Sequence, residues 1–272
     1  MRFRVRHLFR YRYDAPVALG PYLLRLTPRG GQGMAHAIRV TPEPVFRRDE
    51  DDSHGNRVTR LGFAGATARL EIEARFELDS RSLRQAGAGA EAGTGAGAGG
   101  RLERYLQPGA ADAGVAATAE RLRALAERDP AGFAETLATS LHNTVDCDPA
   151  DTAPLRSPGE TLARGRGSLR DIAALYVDLT RRAGLPARFV TGYWAEGLHP
   201  AAARGGRSWA EVFLPEIGWT GYDPALGTPV GAGHVPVAAA PDLAGTLPIV
   251  GSTYGAAIRV SADFELNVMT RA

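Results

Sequence analysis

The stretch from residue 86 to residue 100 constrains the fold of this chain most, because it is almost entirely glycine and alanine. The stretch reads AGAGAEAGTGAGAGG, has no side chains large enough to build a core, and favours a flexible linker or loop. The parts on either side of it must therefore bury their own apolar residues. We predict four units: residues 1–85, the linker 86–100, residues 101–228 and residues 229–272.

The part before the linker has the pattern of β-structure. From Arg2 to Arg6, charged and apolar residues alternate with a period of two, as in a strand with one face in water and the other packed. Further short strands are expected between turn clusters, at 23–26, 36–40, 57–63 and 69–78. Several short strands at this spacing predict a β-sandwich-like amino-terminal domain.

After the linker, helical patterns come first and strand patterns follow. Apolar residues recur at helical spacing in 112–128, 131–145 and 168–183. Ser157-Pro158-Gly159-Glu160 has the form of a capping box and predicts a further short helix. Strands are expected at 187–194, 208–214 and 219–222, with a last one around 258–268. This order predicts an α+β core in 101–228 and a carboxy-terminal β extension in 229–272.

The overall composition is that of an ordinary globular protein and argues against several functions. Hydrophobic residues make up 44% of the chain and charged residues 23%. The formal net charge is only +2, which disfavours nucleic-acid binding although arginines and aromatic residues alternate near the start. No run approaches the roughly 20 apolar residues of a membrane span, and the arginine-rich start is unlike a signal peptide. We therefore expect a cytoplasmic protein that does not bind a membrane.

The cysteine and histidine content gives little support to metal or disulfide chemistry. The single cysteine, Cys147, excludes an internal disulfide framework and a cysteine-based zinc cluster. The histidines lack the paired spacing of a metal-binding helix, so we expect no metal and no cofactor. Cys147 lies between Asp146 and Asp148, whose charges disfavour a thiolate, and an inert thiol is expected.

The most informative block is residues 165–224, where several short motifs follow one another in order. They are Gly184-Leu185-Pro186-Ala187-Arg188, Gly192-Tyr193, Trp209-Ala210-Glu211-Val212, Leu214-Pro215, Gly218-Trp219 and Asp223-Pro224. No single motif is specific, but the ordered set resembles the core of the transglutaminase-like family, which is related in architecture to papain-type cysteine proteases. This resemblance implies a papain-like α+β core.

The rest of the chain supports the same resemblance. Residues near the start resemble the amino-terminal domain of bacterial transglutaminases: His7, Tyr11, Tyr13, Pro16-Val17, Leu24-Arg25-Leu26, Pro28 and Gly55-Asn56. His234-Val235 and Asp242 resemble the family's carboxy-terminal extension. The resemblance covers most of the chain apart from the linker and the helices around it.

The family's catalytic triad is Cys-His-Asp, and this chain departs from it at two positions. Aligning Gly167 and Asp171 with the first motif puts Leu169 where the cysteine belongs. Aligning Trp209 with the second motif puts Arg207 where the histidine belongs. The third position, Asp223, is retained.

These two departures remove the chemistry that the triad performs. The nucleophile is a thiolate favoured by a helix amino terminus, the histidine carries its proton, and the aspartate orients the histidine. Leucine has no lone pair with which to attack a carbonyl, and arginine stays protonated and cannot act as a general base. We therefore predict that no competent catalytic residue remains at Leu169, Arg207 and Asp223.

The two departures also fit each other physically. Arg207 would supply a permanent cationic partner for Asp223, which would otherwise be a costly lone charge in a closed cleft. We predict an Arg207–Asp223 ion pair beside Leu169. The alternative is that Arg207 points to solvent from a strand edge. We expect Ser168, Asp171, Trp209 and Tyr193 to line the cleft.

Two hypotheses for the function follow from this block. The first is a pseudoenzyme that binds a peptide or protein with amide-bearing side chains, or that serves as a scaffold. The resemblance implies an active transglutaminase-like protein or an ATP-grasp ligase as a partner. The second is an active amidase, cysteine-protease-like or acyl-transfer enzyme with a rearranged site around Ser168, Asp171, His199 or His234. A serine at a helix start is more often only a cap.

Overall fold

The amino-terminal part of the chain is built around one very long strand, β1 (Arg2–Leu24). The computed structural model describes residues 2–30, 34–80, 83, 102–195 and 206–271, so the Gly/Ala stretch 86–100 lies outside the described residues. Along β1 the alternation seen in the sequence places Phe3 and Val5 in the core, at 0% and 1% exposure. The arginines between them face outward, as a period of two requires.

Four further strands complete most of this sheet. They are β2 (Ala35–Thr41), β3 (Phe46–Asp51), β4 (Arg57–Gly62) and β5 (Ala66–Asp79). Their order is β2-β5-β1-β4-β3, and all the pairings are antiparallel. The β-rich amino-terminal domain predicted from the sequence is confirmed. Its strands belong to a single curled antiparallel sheet, because β1 is long enough to pair with several neighbours in succession.

The helices follow as a group after residue 112. They are α1 (Ala113–Arg128), α2 (Pro130–Thr144), α3 (Pro158–Arg164) and α4 (Leu169–Arg182). Each begins at a side chain that accepts a hydrogen bond from the first turn, namely Asp112, Asp129, Ser157 and Ser168. The capping box predicted at Ser157 and Glu160 is present.

A second sheet packs against these helices. Its strands are β8 (Ala187–Trp194), β9 (Arg207–Leu214), β10 (Gly218–Asp223), β11 (Thr228–Pro229) and β12 (His234–Ala240), in the order β11-β10-β9-β8-β12. Helix α4 lies across β8 and β9, and its residues Ile172, Leu175 and Tyr176 are buried there. Two short strands, β6 (Asp146–Cys147) and β7 (Arg166–Gly167), pair in parallel just before α4. The α+β core predicted from the order of elements is confirmed.

The carboxy-terminal segment is divided between the two sheets. After β12 has joined the core sheet, β13 (Ile249–Tyr254) and β14 (Arg259–Arg271) return to pair antiparallel with β1. The strand expected around 258–268 corresponds to β14. The chain therefore passes from the first sheet to the second and back again, and the cleft between them is enclosed by both.

Two buried polar contacts join the sheets beside that cleft. Asn56 is fully buried and donates from Nδ2 to the carbonyl oxygen of Ala239 at 2.9 Å. Its Oδ1 accepts from the backbone N–H of Ala239 at 2.8 Å. His7 Nδ1 lies 3.0 Å from the hydroxyl of Tyr193. Together these contacts hold β1 and the turn before β4 against β12 and β8.

Candidate functional site

A cavity of about 410 Å³ lies where the two sheets and the start of α4 meet. Strand β1 contributes His7 and Phe9 to its wall, the segment just after β1 contributes Leu26, and the connection after β12 contributes Leu243 and Leu247. The core contributes the residues at the start of α4 and β9, which are Ser168, Leu169, Arg170, Arg207 and Ser208. The fold therefore brings Leu169 and Arg207, two of the three positions that the motif alignment assigned to the triad, to one cavity.

The amino terminus of α4 is held by a closed network around Asp171. The Ser168 hydroxyl and backbone N–H both donate to Asp171 Oδ2 at 2.9 Å. Arg156 donates to the same carboxylate from its backbone and from Nη1, each at 2.8 Å. Burial acts to raise the pKa of Asp171, but these hydrogen bonds outweigh it and the pKa is lowered. The Ser168 hydroxyl is thus a helix cap bound to an ionised carboxylate.

The ion pair predicted between Arg207 and Asp223 is present and buried. Arg207 Nε donates to Asp223 Oδ2 at 2.7 Å, and the two residues are 9% and 0% exposed. The guanidinium carbon of Arg207 also lies 4.7 Å from the ring centroid of Trp194, within the range of a cation–π interaction. Arg207 therefore does not point to solvent from the strand edge.

All the acceptor capacity of Asp223 is used by the protein itself. Oδ1 accepts the backbone N–H groups of Ala225 and Leu226 at 3.0 and 3.2 Å. Oδ2 accepts from Arg207 and lies 3.1 Å from His234 Nε2. Burial alone would raise the pKa of Asp223, yet the hydrogen bonds from His234 and Arg207 lower it. Asp223 is thus a saturated structural anion.

His234 also contacts Asp223, and the sequence did not predict this contact. Its Nδ1 accepts the backbone N–H of Gly231 at 3.2 Å, so in the neutral ring the proton is on Nε2 and is donated to Asp223. The ring is 4% exposed and packs edge-on against Trp209 at 5.3 Å. Both ring nitrogens are therefore occupied, and neither is directed at Ser168. The motif His234-Val235 was the available sequence signal, but only strand pairing shows which carboxylate the ring meets.

Cys147 lies close behind the site without forming part of the cavity wall. It pairs with Gly167 in the short parallel ladder and packs partly buried against the helical core. Burial raises the pKa of its thiol to about 11, so the nucleophilic thiolate is scarce at neutral pH. No histidine among the described residues forms a hydrogen bond with Cys147 or Ser168. His199 lies outside the described residues.

The four residues expected to line the cleft divide into two pairs. Ser168 and Tyr193 contribute to the cavity wall. Trp209 is fully buried in a small cluster with Val190, and Asp171 is buried behind Ser168, so neither reaches the cavity. Trp209 and Asp171 therefore support the wall from behind.

Neither a metal site nor a spanning helix is found in the part of the chain that the structure describes. Within these residues no group of three or more His, Cys, Asp or Glu side chains is arranged to hold a metal ion. Among the described helices none is both long and apolar enough to cross a membrane.

Comparison with known families agrees with this architecture. Residues 3–79 match the Bacterial transglutaminase-like N-terminal region, and residues 116–224 match the Transglutaminase-like superfamily. The second match includes Leu169, Arg207 and Asp223. The chain therefore consists of a bacterial transglutaminase-like amino-terminal region followed by a transglutaminase-like core, as the motifs had indicated.

Relatives with similar sequences extend over nearly the whole chain. An uncharacterised protein of Mycobacterium leprae is 26% identical over 280 residues, covering 98% of this chain and 97% of its own length. An uncharacterised protein of Mycobacterium tuberculosis is 26% identical, covering 96% of this chain and 92% of its own length. These relatives share both regions, and their names report no activity.

A solved structure shows the same fold. A Cytophaga hutchinsonii protein, whose assignment as a cysteine protease is itself a proposal, superposes with a TM-score of 0.65. The match covers 100% of this chain and 92% of that one at 18% sequence identity. At this identity the similarity establishes the shared fold of both regions and not a shared reaction.

Proposed function

We propose that this chain is a non-catalytic transglutaminase-like protein that uses its cleft to bind a peptide or protein segment. The observation that carries the proposal is the buried Arg207–Asp223 pair at 2.7 Å, closed on its other side by His234. A cation that does not release its proton occupies the position of the proton carrier. Leu169 stands at the start of α4, where the family places its thiol.

The surroundings of this pair support the same proposal. The two nearest nucleophile candidates are both disabled, because Ser168 is bound to ionised Asp171 and the Cys147 thiol has a raised pKa. The cavity itself persists, with a volume within the range of ligand pockets. A fold that keeps its cleft while losing nucleophile and base is suited to binding. The proposal includes a partner with amide-bearing side chains. It also includes association with an active transglutaminase-like protein or an ATP-grasp ligase, and a cytoplasmic location.

The catalytic half of the proposal is tested with purified protein in assays of amide hydrolysis and acyl transfer. We expect no turnover above background from the unaltered protein or from Cys147→Ser. Turnover by the unaltered protein that persists in Cys147→Ser would reject the pseudoenzyme and favour a rearranged site.

A gain-of-function variant provides the positive control. The double variant Leu169→Cys with Arg207→His restores a thiol at a helix amino terminus and an imidazole beside Asp223. We expect thiol-dependent activity, abolished by alkylation, in the double variant and not in either single variant. The single variants control for added reactivity of an isolated thiol or imidazole.

The binding half is tested with glutamine-containing peptides blocked at both ends, compared with matched peptides in which alanine replaces glutamine. We expect retention of the glutamine set on immobilised protein. If neither peptide set is retained, whether its ends are blocked or free, a peptide-binding cleft is rejected.

A further inference from the structure

Arg207 has hydrogen-bonding capacity that the protein does not use. A guanidinium carries five N–H donors, and Nε supplies the bond to Asp223. Nη2 is buried and has no hydrogen-bond partner among the described residues. A buried donor without an acceptor costs about 1–3 kcal/mol. Arg207 is nine-tenths buried and lines the cavity, so a small rotation of its guanidinium would bring Nη2 to an acceptor placed there.

The amino terminus of α4 reaches the same cavity and favours the same kind of ligand. Leu169 and Arg170, the first two helical residues, line the cavity, and the N–H groups of a first helical turn have no intrahelical acceptor. The helix dipole adds positive potential at this end. Two independent features, a buried guanidinium and a helix amino terminus, therefore converge on one space.

Most of the charged side chains at the cavity have partners of opposite charge. Arg25 and Arg170 line it in addition to Arg207, and Arg25 is paired with Asp52 at 3.7 Å. The one carboxylate in its described wall, Asp151, is paired with Arg156 at 2.7 Å. His7 is neutral at pH 7, since burial lowers its pKa to about 4. The described wall thus contains three guanidinium groups and one carboxylate, and that carboxylate is already paired, so an anionic ligand meets no unpaired acid there.

Much of the remaining wall is apolar, although Ser168, Thr191 and Tyr193 also contribute to it. The side chains without polar atoms are Phe9, Leu26, Leu169, Val237, Leu243 and Leu247. A ligand that fits must therefore join one anionic group to a hydrocarbon body. An internal glutamate offers only two methylene groups beside its carboxylate, whereas an apolar last residue of a peptide carries its carboxylate and a hydrocarbon side chain on the same Cα.

We infer that the cavity is a receptor for the terminal carboxylate of a peptide whose last residue is apolar, with Arg207 and the first turn of α4 as the donors. Arg207 presents a planar fork that matches a carboxylate in two-point geometry. The apolar wall receives the last side chain. This inference rests on the proposed binding role of the cleft and names the chemistry that the cleft recognises.

The test uses three pools of hexapeptides. Two of them end in leucine, are randomised at the other positions and differ only in the carboxy terminus, which is a free acid in one pool and a carboxamide in the other. A third pool has carboxamide termini and one internal glutamate. Each is passed over immobilised full-length protein and the retained peptides are counted by mass spectrometry. We expect the acid pool to be retained at least about tenfold better than either amide pool.

A matched pair of variants places the ligand at Arg207. Leu169→Asp puts a carboxylate into the cavity at the first helical position, where an acidic residue suits the helix dipole, and it should compete with the peptide and reduce retention at least about tenfold. Leu169→Asn has the same size without the charge and should retain the acid pool within about threefold. Thermal unfolding of both variants verifies that they are folded.

The outcomes separate this inference from the proposed function. Equal retention of acid and amide pools would overturn the carboxylate receptor and leave a peptide-binding cleft standing. Better retention of the internal-glutamate pool would overturn the assignment of the ligand as a terminal carboxylate.

N-acetyl-leucine, a carboxylate that is not a peptide, is titrated in parallel. If it binds while no peptide pool does, the anion site stands and the proposed peptide-binding function fails.

Discussion

At the scale of single residues, the site is decided by which groups are buried together. Arg207 and Asp223 form a pair that the motif alignment predicted, and His234 completes it from a strand that the alignment did not connect to the triad. Replacing one member of such a pair leaves a buried charge without a partner, at a cost of about 3–5 kcal/mol. This cost explains why Asp223 is held in place: it binds the Arg207 cation and the turn at Ala225 and Leu226.

The first prediction concerns His7, which lies in the cavity wall. An unfolded histidine binds its proton near pH 6.5, whereas burial lowers the pKa of His7 to about 4 in the folded protein. Its contribution to stability is therefore fully present above about pH 6.5 and is lost as the pH falls towards 4, by roughly 3 kcal/mol. His7→Gln should remove this part of the pH dependence, measured by urea unfolding at pH 7, 5.5 and 4.

A control on the same contact separates the charge from the hydrogen bond. Tyr193→Phe removes the hydroxyl 3.0 Å from His7 and leaves the imidazole in place. It should lower stability by about 1–3 kcal/mol at every pH while keeping the wild-type slope. Parallel pH curves for the wild type and His7→Gln would contradict the prediction.

At the scale of secondary-structure elements, a turn of the first sheet is docked onto a strand of the second. The turn before β4 presents Asn56, whose side chain bonds both backbone groups of Ala239 on β12 and also donates to Asp52 at 3.0 Å. The Asn56 amide thus makes the two backbone hydrogen bonds to Ala239 that a neighbouring strand would otherwise make, at the place where the two sheets meet. The motif Gly55-Asn56 was recognised in the sequence, but its partner was not.

The second prediction follows from this contact. Asn56→Ala leaves a buried N–H and a buried carbonyl of Ala239 without partners, and should lower the free energy of unfolding by about 2–4 kcal/mol. The control is Asn143→Ala on the exposed face of α2, which should change it by less than about 0.5 kcal/mol. Chemical denaturation measures both. Similar losses in the two variants would show that Asn56 does not dock the sheets.

At the scale of the whole molecule, the path of the chain ties the two regions together. Strand β1 begins the first sheet, and β13 and β14 close it after the chain has passed through the core. The cavity wall contains residues from the first strand and from the connection between β12 and β13, so it exists only when both regions are docked. Folding of the two regions and formation of the site are thereby coupled.

The third prediction tests this coupling. A chain ending at residue 247 lacks β13 and β14 and exposes one hydrogen-bonding edge of β1 along most of its length. We expect a lower melting temperature and self-association, since a long unpaired edge pairs with other chains. Size-exclusion chromatography and thermal unfolding measure both effects, and a synthetic peptide of residues 248–272 should restore the monomer. An unchanged melting temperature would show that the returning strands are dispensable.

The sequence by itself determined the β-rich amino-terminal region and the α+β class of the core, and it predicted which residues stand at the three triad positions. These predictions rest on patterns among residues that are close together in the sequence. Examples are the alternation in β1, the helical spacing around Leu175 and the cap at Ser157. The pairing of Arg207 with Asp223 was accessible because both positions were aligned to one motif set.

The tertiary structure decided everything that depends on distant contacts. The length of β1, the return of β13 and β14, the docking of Asn56 and the place of His234 all follow from strand pairing between residues far apart in the chain. Burial likewise decided that Trp209 and Asp171 lie behind the cavity wall and that Arg207 Nη2 has no hydrogen-bond partner among the residues that the structure describes. Such outcomes depend on the free energy of packing the whole chain, which no local pattern contains.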